Sequence, residues 1–194
     1  MSVMAQLYPS HKVYHFPHCR GLSLTHAEVK QRVEVISQNL LDMGFQKGDR
    51  IALVLPNTYE TVLTFLAAAQ IGLITVILSP AYQLVELEFM LKKTGVKGIF
   101  IYDTFRVLKH LEIMKKICPE LDECEPGKLN SPRLPSLKHV VVLNSPLMSD
   151  KKTYKGTWSF DQVAENRSSA KKRDYPQVEM DDPCLILFTV KQTL

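Results

Sequence analysis

The sequence contains few of the cysteines that disulfide-rich and zinc-binding folds require. The cysteines among its 194 residues are Cys19, Cys118, Cys124 and Cys184. No two of them have Cys-x-x-Cys spacing, which argues against a zinc site and a disulfide scaffold and predicts reduced thiols. His15 and His18 are spaced so that they could share a metal ion, but no second ligand pair accompanies them. We therefore favour a polar N-terminal segment over a metal site.

Glycine-rich phosphate loops are also absent. The eight glycines form no Gly-x-Gly-x-x-Gly fingerprint, which excludes a dinucleotide-binding turn of that type. Gly127-Lys128 is followed by Leu129 rather than by serine or threonine, so the sequence has no Walker-type phosphate loop. It also lacks Gly-x-Ser-x-Gly, which argues against the usual serine hydrolase of an α/β fold.

Charge of one sign is scarce, because 24 basic residues are nearly balanced by 20 acidic ones. The excess is concentrated between Lys151 and Arg173, where seven basic residues accompany two acidic ones. The segment has no interleaved aromatic pattern and matches no nucleic-acid-binding module, so we expect no nucleic-acid partner. It predicts a solvated surface loop, with a phosphate-binding patch as the less favoured alternative.

No charged residue occurs from Thr61 through Val85, a length that could cross a bilayer. However, Gly72 divides the stretch and Pro80 lies near its end. The residue types change across the glycine from helix formers to β-branched residues. We therefore predict a helix followed by a buried strand, and no transmembrane segment.

Residues 1–22 contain no apolar run long enough for a secretory signal. No acidic residue precedes Glu28, as in a mitochondrial presequence, but Arg20 is the single arginine before it. The composition therefore leaves mitochondrial import and a cytoplasmic location both open. We expect residues 1–22 to form a flexible N-terminus.

Helix and strand patterns alternate along the rest of the chain. Capping boxes at Thr25/Glu28 and Asn57/Glu60 predict the starts of two helices. The helices are expected at 25–44, 57–72, 85–94, 104–118 and 159–165. The strands are expected at 51–55, 73–78, 98–102, 138–144 and 184–189, the last as a central strand, and 120–137 as a surface excursion. This order predicts an α/β fold, a mainly parallel sheet with helices on both faces.

Several segments in this order resemble the first part of the adenylate-forming acyl-CoA synthetases, the AMP-binding family. They are Leu24-Thr-x-Ala-Glu-Val29, Lys47-Gly-Asp-Arg-Ile51, Pro56-Asn57, Ser79-Pro-Ala-Tyr-Gln83, Glu86-Leu-Glu-Phe-Met-Leu-Lys-Lys93 and Gly95-Val-Lys-Gly-Ile99. The resemblance runs from about Ser23 to Thr189. It implies that 23–189 is a partial AMP-binding domain, a truncated N-terminal subdomain, and that 190–194 is a divergent tail. Asn57 and Tyr82 match family positions, but we expect them to cap or pack rather than to catalyse.

The resemblance also implies a chemistry. Such enzymes use ATP and Mg²⁺ to convert a fatty acid to an acyl-adenylate, and then transfer the acyl group to coenzyme A. In the family, a Phe-Thr strand ending is followed by Ser-Gly-Thr-Thr-Gly-x-Pro-Lys, which binds the triphosphate. Here Phe188-Thr189 is followed by Val190-Lys-Gln-Thr-Leu194. Thr189 is therefore the single candidate cofactor-binding residue, and we predict no catalytic residue and no metal ligand.

Two hypotheses follow from the resemblance. The first is a truncated ligase for medium-chain fatty acids, mitochondrial like the enzymes it resembles, which is inactive alone and binds ATP, Mg²⁺ and coenzyme A at most weakly. The second is a non-catalytic interaction module that associates with a full-length homologue, or another partner, through exposed apolar surface. Its basis is the apolar segment 184–189, which would be left as an uncovered strand edge.

Overall fold

Buried apolar segments form a six-stranded sheet in which every neighbouring pair is parallel. The structure is a computed structural model that describes residues 2–144, 152–165 and 173–189. The strands are β3 (Arg50–Val54), β4 (Ile74–Ile77), β5 (Gly98–Tyr102), β6 (His139–Leu143), β7 (Trp158–Ser159) and β8 (Leu185–Ile186). Their order across the sheet is β7-β6-β5-β3-β4-β8. Strands β5 and β6 are buried along their whole length, as a sheet covered on both faces requires.

Helices cover both faces of this sheet, which confirms the predicted α/β class. One apolar layer contains buried residues of α2 (His26–Asp42), α3 (Tyr59–Gln70) and α6 (Phe160–Ala164). The other contains buried residues of α4 (Leu84–Thr94) and α5 (His110–Ile117). The uncharged stretch therefore forms α3 and β4, as predicted. No helix in the described ranges is long and apolar enough to span a membrane.

Secondary structure also occurs within residues 1–22, which we expected to form a flexible N-terminus. Helix α1 comprises Ser2–Leu7, and strand β1 (Lys12–Phe16) pairs antiparallel with β2 (Leu22–Thr25). The ring of Phe16 contacts that of Tyr59, so the hairpin packs against α3. Such a short hairpin depends on this packing, which local sequence does not reveal.

The two predicted capping boxes have different outcomes. At α2, the amide of Thr25 donates to Glu28 at 2.8 Å and the amide of Glu28 donates to the Thr25 hydroxyl, as predicted. At α3 the prediction is wrong, because the N-cap is Thr58 and it makes no side-chain capping bond. Asn57 is exposed one residue earlier. The hydroxyl of Thr61 instead donates to the carbonyl of Pro56 at 2.7 Å, which fixes the entry into the helix.

The helix predicted at 104–118 begins only at His110. Before it, Phe105 and Leu108 form an isolated bridge, and Arg106 has a φ of +55°. A helix cannot pass through a left-handed residue, so the backbone turns here first. Val107, which would lie on the apolar face of a helix over 104–118, is 90% exposed.

The segment 120–137 is more than a surface excursion. A 3₁₀ turn at Pro119–Asp122 begins it, and Leu121, Leu129, Leu134 and Leu137 are buried against the α4/α5 layer. Arg133 binds both carboxylate oxygens of Glu88 on α4, at 3.0 and 2.7 Å. Buried leucines thus alternate along this segment with prolines and charged residues, and no helical or strand periodicity marks them as core residues.

The segment 184–189 is not a central strand. Only Leu185–Ile186 is a strand, and it lies at one edge of the described sheet, paired with β4. The predicted helix at 159–165 is confirmed as α6, with a capping box between Ser159 and Gln162. Of the basic segment between Lys151 and Arg173, residues 151 and 166–172 lie outside the described residues, as does the tail 190–194.

Candidate functional site

Four loops meet where the parallel strands end, the edge at which such sheets bind ligands. They are residues 55–58 after β3, 78–83 after β4, 103–109 after β5 and 187–189 after β8. Because β5, β3, β4 and β8 are consecutive neighbours, the four loops lie side by side. We refer to this end of the sheet as the carboxyl edge and to the opposite end as the amino edge.

A group of hydroxyls and a carboxylate lies at the ends of β3 and β5. Tyr102 is buried at the end of β5, and the side chain of Thr58 lies near its phenol. Burial, with a contribution from the nearby Glu60, raises the pKa of Tyr102 and that of Tyr59. Both phenols therefore stay neutral at physiological pH. The Oε2 atom of Glu60 is buried and has no hydrogen-bond partner among the described residues.

Asp103 follows β5 directly and connects two segments. It accepts a hydrogen bond from the hydroxyl of Tyr154 at 3.0 Å and one from the amide of Thr104 at 2.6 Å. Burial and the bond to Asp103 raise the pKa of Tyr154 to about 12, so that the phenol keeps its proton. This pair holds the segment 152–165 against the end of β5.

His110 is a fully buried imidazole beneath the loop after β4. Its Nε2 lies 3.0 Å from the carbonyl oxygen of Pro80, and because a carbonyl can only accept, Nε2 carries the proton. Nδ1 is then the acceptor, and it has no partner within the described ranges. Burial lowers the pKa of His110, which keeps the ring neutral. Its ring stacks on Phe105, with centroids 6.4 Å apart.

Sequence reasoning missed His110 as a feature of this edge. It falls inside the predicted helix 104–118, and no motif marks it. The available signal was a polar residue on the apolar face that also carries Leu111 and Met114, both of which are buried. Buried polar side chains usually have a hydrogen-bond partner, so its position implied a bond to another segment.

Thr189 is exposed and lies three residues beyond β8. Since β8 runs parallel to β4, Thr189 is at the carboxyl edge, where the resemblance had placed it. The preceding Phe188 packs against the α4/α5 layer, and so does Tyr82, which fulfils the packing role we expected. Asn57 neither caps nor packs, since it is exposed before the N-cap of α3.

The chemistry available in the four loops and at His110 is that of hydroxyls, a carboxylate, a neutral imidazole and two cations. The loops 55–58, 78–83 and 103–109 and residues 187–189 contain no glycine and two cations, Arg106 and Lys109. A triphosphate requires a cradle of amide donors and cations, which these residues do not supply. They therefore do not fit a tightly held nucleotide with its Mg²⁺.

Metal-ligating side chains are not grouped in the described part of the chain, where no three or more of His, Cys, Asp and Glu come together. The four cysteines are free. Burial raises the pKa of the Cys118 and Cys124 thiols. His15, considered with His18 in the sequence, has its Nδ1 2.8 Å from the hydroxyl of Ser23.

Curated relatives are medium-chain acyl-CoA ligases. The chain is 40% identical over 147 residues to the mouse protein named medium-chain acyl-CoA ligase ACSF2, mitochondrial, covering 76% of this chain and 24% of that protein. It is 38% identical over 171 residues to the human protein of the same name, covering 86% of this chain and 27% of the human protein. The chain thus spans about a quarter of the length of these relatives.

Solved structures share the fold. The acetoacetyl-CoA synthetase of Streptomyces lividans matches with a TM-score of 0.74 at 20% identity, over 96% of this chain and 27% of that one. The N-terminal domain of FACL13 from Mycobacterium tuberculosis matches with a TM-score of 0.64 at 22% identity, over 97% and 40% of the two chains.

A family profile described as AMP-binding enzyme matches residues 3–190, nearly the whole chain. The match begins twenty residues before Ser23, where the resemblance of individual motifs begins, and so includes the hairpin β1–β2. It also includes the carboxyl edge up to Thr189. On this match, the chain belongs to the AMP-binding enzyme family.

Proposed function

We propose that this chain is the N-terminal scaffold of a fatty-acid-CoA ligase that acts on medium-chain acids in mitochondria. The support is its 38–40% identity to mitochondrial medium-chain acyl-CoA ligases. In the complete enzyme, ATP and Mg²⁺ would activate the fatty acid as an acyl-adenylate, and coenzyme A would accept the acyl group. The scaffold would contribute the parallel sheet whose carboxyl edge faces the nucleotide.

The 194-residue polypeptide alone does not form acyl-adenylate. The observation that carries this proposal is the glycine-free set of loops at the carboxyl edge, together with Val190-Lys-Gln-Thr-Leu194 after Thr189. Activation of a carboxylate transfers negative charge to pyrophosphate, and preorganised donors must stabilise that charge. One exposed threonine hydroxyl cannot replace a cradle of amides and a lysine.

Pyrophosphate exchange measured with octanoate, ATP and Mg²⁺ tests this proposal. We expect the purified 194-residue chain to show no exchange above a blank without protein, while a full-length medium-chain acyl-CoA ligase measured in parallel gives a clear signal. The variant Thr189→Val should give the same result as the unchanged chain, because one exposed hydroxyl does not hold a triphosphate. Exchange above the blank that Thr189→Val reduces would overturn the proposal.

A second candidate function is a non-catalytic interaction module. Its specific support is the exposed apolar surface around β8, where Met180 is fully exposed and Leu187 is 63% exposed beside the sheet edge. Exposed apolar side chains next to an edge strand favour association with another chain. The partner would be a full-length homologue, which supplies apolar side chains to cover β8.

Size-exclusion chromatography with and without a full-length medium-chain acyl-CoA ligase tests this alternative. A discrete mixed complex that Leu187→Asp abolishes would support it. Val85→Asp is the matched control, because Val85 is an equally apolar and exposed side chain on α4. An unchanged monomer in every mixture would remove the alternative.

A further inference from the structure

Three basic residues form a row across neighbouring strands at the amino edge. Arg50 opens β3, Lys97 immediately precedes β5, and Lys138 immediately precedes β6. The amide of Lys97 donates to the carbonyl of Arg50 at 2.8 Å, and that of Lys138 donates to the carbonyl of Lys97 at 2.9 Å. The three positions are therefore adjacent in a ladder whose strands lie about 4.8 Å apart.

Of these three cations, Lys97 alone is neutralised by a residue that the structure describes. Lys97 Nζ lies 2.6 Å from Asp49 Oδ2 and 2.8 Å from the carbonyl of Gly44, above the ring of Phe45. Arg50 and Lys138 have no acidic or hydrogen-bonding side-chain partner among the residues that the structure describes. Two uncompensated positive charges, one on each side of Lys97, favour a bound anion.

The row lines a groove of about 350 Å³, together with Gly48, Asp49, Gly95 and Ser136. Gly95 lies between two of these groups, because a Cβ at this position would be 3.4 Å from Nη2 of Arg50 and 3.7 Å from Oγ of Ser136. A guanidinium nitrogen and a hydroxyl thus lie close to the same point. Within the described chain, the Ser136 hydroxyl has no hydrogen-bond partner in the groove or elsewhere.

We propose that this groove is a binding site for a phosphate group, held by Arg50, Lys138 and the hydroxyl of Ser136. A phosphate dianion matches the two uncompensated cations in charge, and its several oxygens can accept from all three donors at once. A monocarboxylate would compensate only one of these two charges. The volume is at the lower end of the range for small-ligand sites.

This site is separate from the carboxyl edge and does not depend on the proposed ligase function. The five-residue strands β3 and β5 place the two edges roughly 16 Å apart. A nucleotide at the carboxyl edge therefore cannot be the ligand of this groove. The phosphate group belongs either to a free phosphate ester or to a lipid headgroup.

The test is a titration of the 194-residue chain with inorganic phosphate, followed by amide shifts in NMR spectra. We expect saturable shifts centred on Gly48, Gly95 and Ser136, which weaken as salt is added. Arg50→Gln and Lys138→Gln should each raise the dissociation constant about tenfold, the usual loss for one charge-assisted bond. Lys97 is left unchanged because it also packs on Phe45.

Lys109→Gln is the matched control, because it removes the same charge from an exposed loop at the opposite edge. It should bind phosphate as the unchanged chain does. A second arm uses vesicles of phosphatidylcholine with and without phosphatidate. Vesicle binding that needs phosphatidate and is lost in Lys138→Gln identifies a headgroup, whereas saturable phosphate shifts without any vesicle binding identify a free ester. Absence of saturable shifts, or equal weakening by Lys109→Gln, would overturn the proposal.

Discussion

The two ends of the sheet are built differently. At the amino edge, backbone and side chains are closely packed, as at Gly98 beside the ring of Phe45 and at Gly156 beside the carbonyl of Leu121. At the carboxyl edge, single hydrogen bonds connect loops, as in His110 to Pro80 and Tyr154 to Asp103. The amino edge therefore depends on packing, which tolerates little change in volume. The carboxyl edge depends on polar groups that can be exchanged individually.

The largest effect should come from crowding at the amino edge. Gly156, two residues before β7, has a φ of +72°, and an added Cβ would overlap the carbonyl oxygen of Leu121. We expect Gly156→Ala to lower the free energy of unfolding by at least about 3 kcal/mol, the sum of backbone strain and overpacking. Urea denaturation followed by circular dichroism would measure it.

Gly44→Ala separates the two contributions. Gly44 has a φ of +88°, but an added Cβ would meet nothing within 4 Å. This variant should show only the cost of the left-handed backbone, about 1–2 kcal/mol. If both variants lower the free energy of unfolding by the same amount, the close contact at Gly156 does not contribute to stability. The amino edge would then not depend on tight packing as we infer.

The second effect is a pH dependence that also arises at the amino edge. His139 is buried against Phe45, and burial together with the charge of Lys97 lowers its pKa to about 4, although Asp49 acts in the opposite direction. Below pH 6.5 the unfolded chain binds a proton at this histidine, while the folded chain does not until about pH 4. Stability from this group is complete above pH 6.5 and falls by about 3 kcal/mol as the pH drops to 4.

Urea titrations of the unchanged chain and His139→Gln at pH 7.5 and pH 4 would measure this dependence. The variant has no proton to take up at this position, so it should lose about 3 kcal/mol less between the two pH values. His110 contributes in the same direction in both proteins, because burial also lowers its pKa. Equal losses would show that His139 does not titrate abnormally.

Sequence patterns predicted the interior of the fold better than its margins. The strand at Gly98–Tyr102 was predicted to the residue, because glycine precedes a continuous apolar run that a two-sided sheet requires. The segment 184–189 is just as apolar, yet it forms a two-residue edge strand. The apolar content of a segment indicates how much its burial would stabilise the fold. It does not indicate whether other segments pack against it and bury it.

The candidate site was predictable only where a motif marks it. The resemblance placed Thr189 at the end of a strand, whereas the strand ends at Ile186 and Thr189 lies three residues beyond it. His110 and Asp103 form their bonds with residues 30 and 51 positions away in the sequence. Contacts over such separations depend on the packing of α5 and on the path of the segment before β7, which no local pattern encodes.

The smallest effect should come from the carboxyl edge. Tyr154→Phe removes the hydroxyl that donates to Asp103 at 3.0 Å and keeps the ring. We expect a loss of about 1.5 kcal/mol in the free energy of unfolding, the value of a single hydrogen bond to a charged group. Tyr82→Phe, at the same edge, is the control, because the Tyr82 hydroxyl has no hydrogen-bond partner among the described residues, and its stability should not change. A loss from Tyr154→Phe as large as that from Gly156→Ala would contradict the comparison of the two edges. It would mean that the polar groups of the carboxyl edge cannot rearrange when one hydroxyl is removed, so that this edge is as rigid as the amino edge.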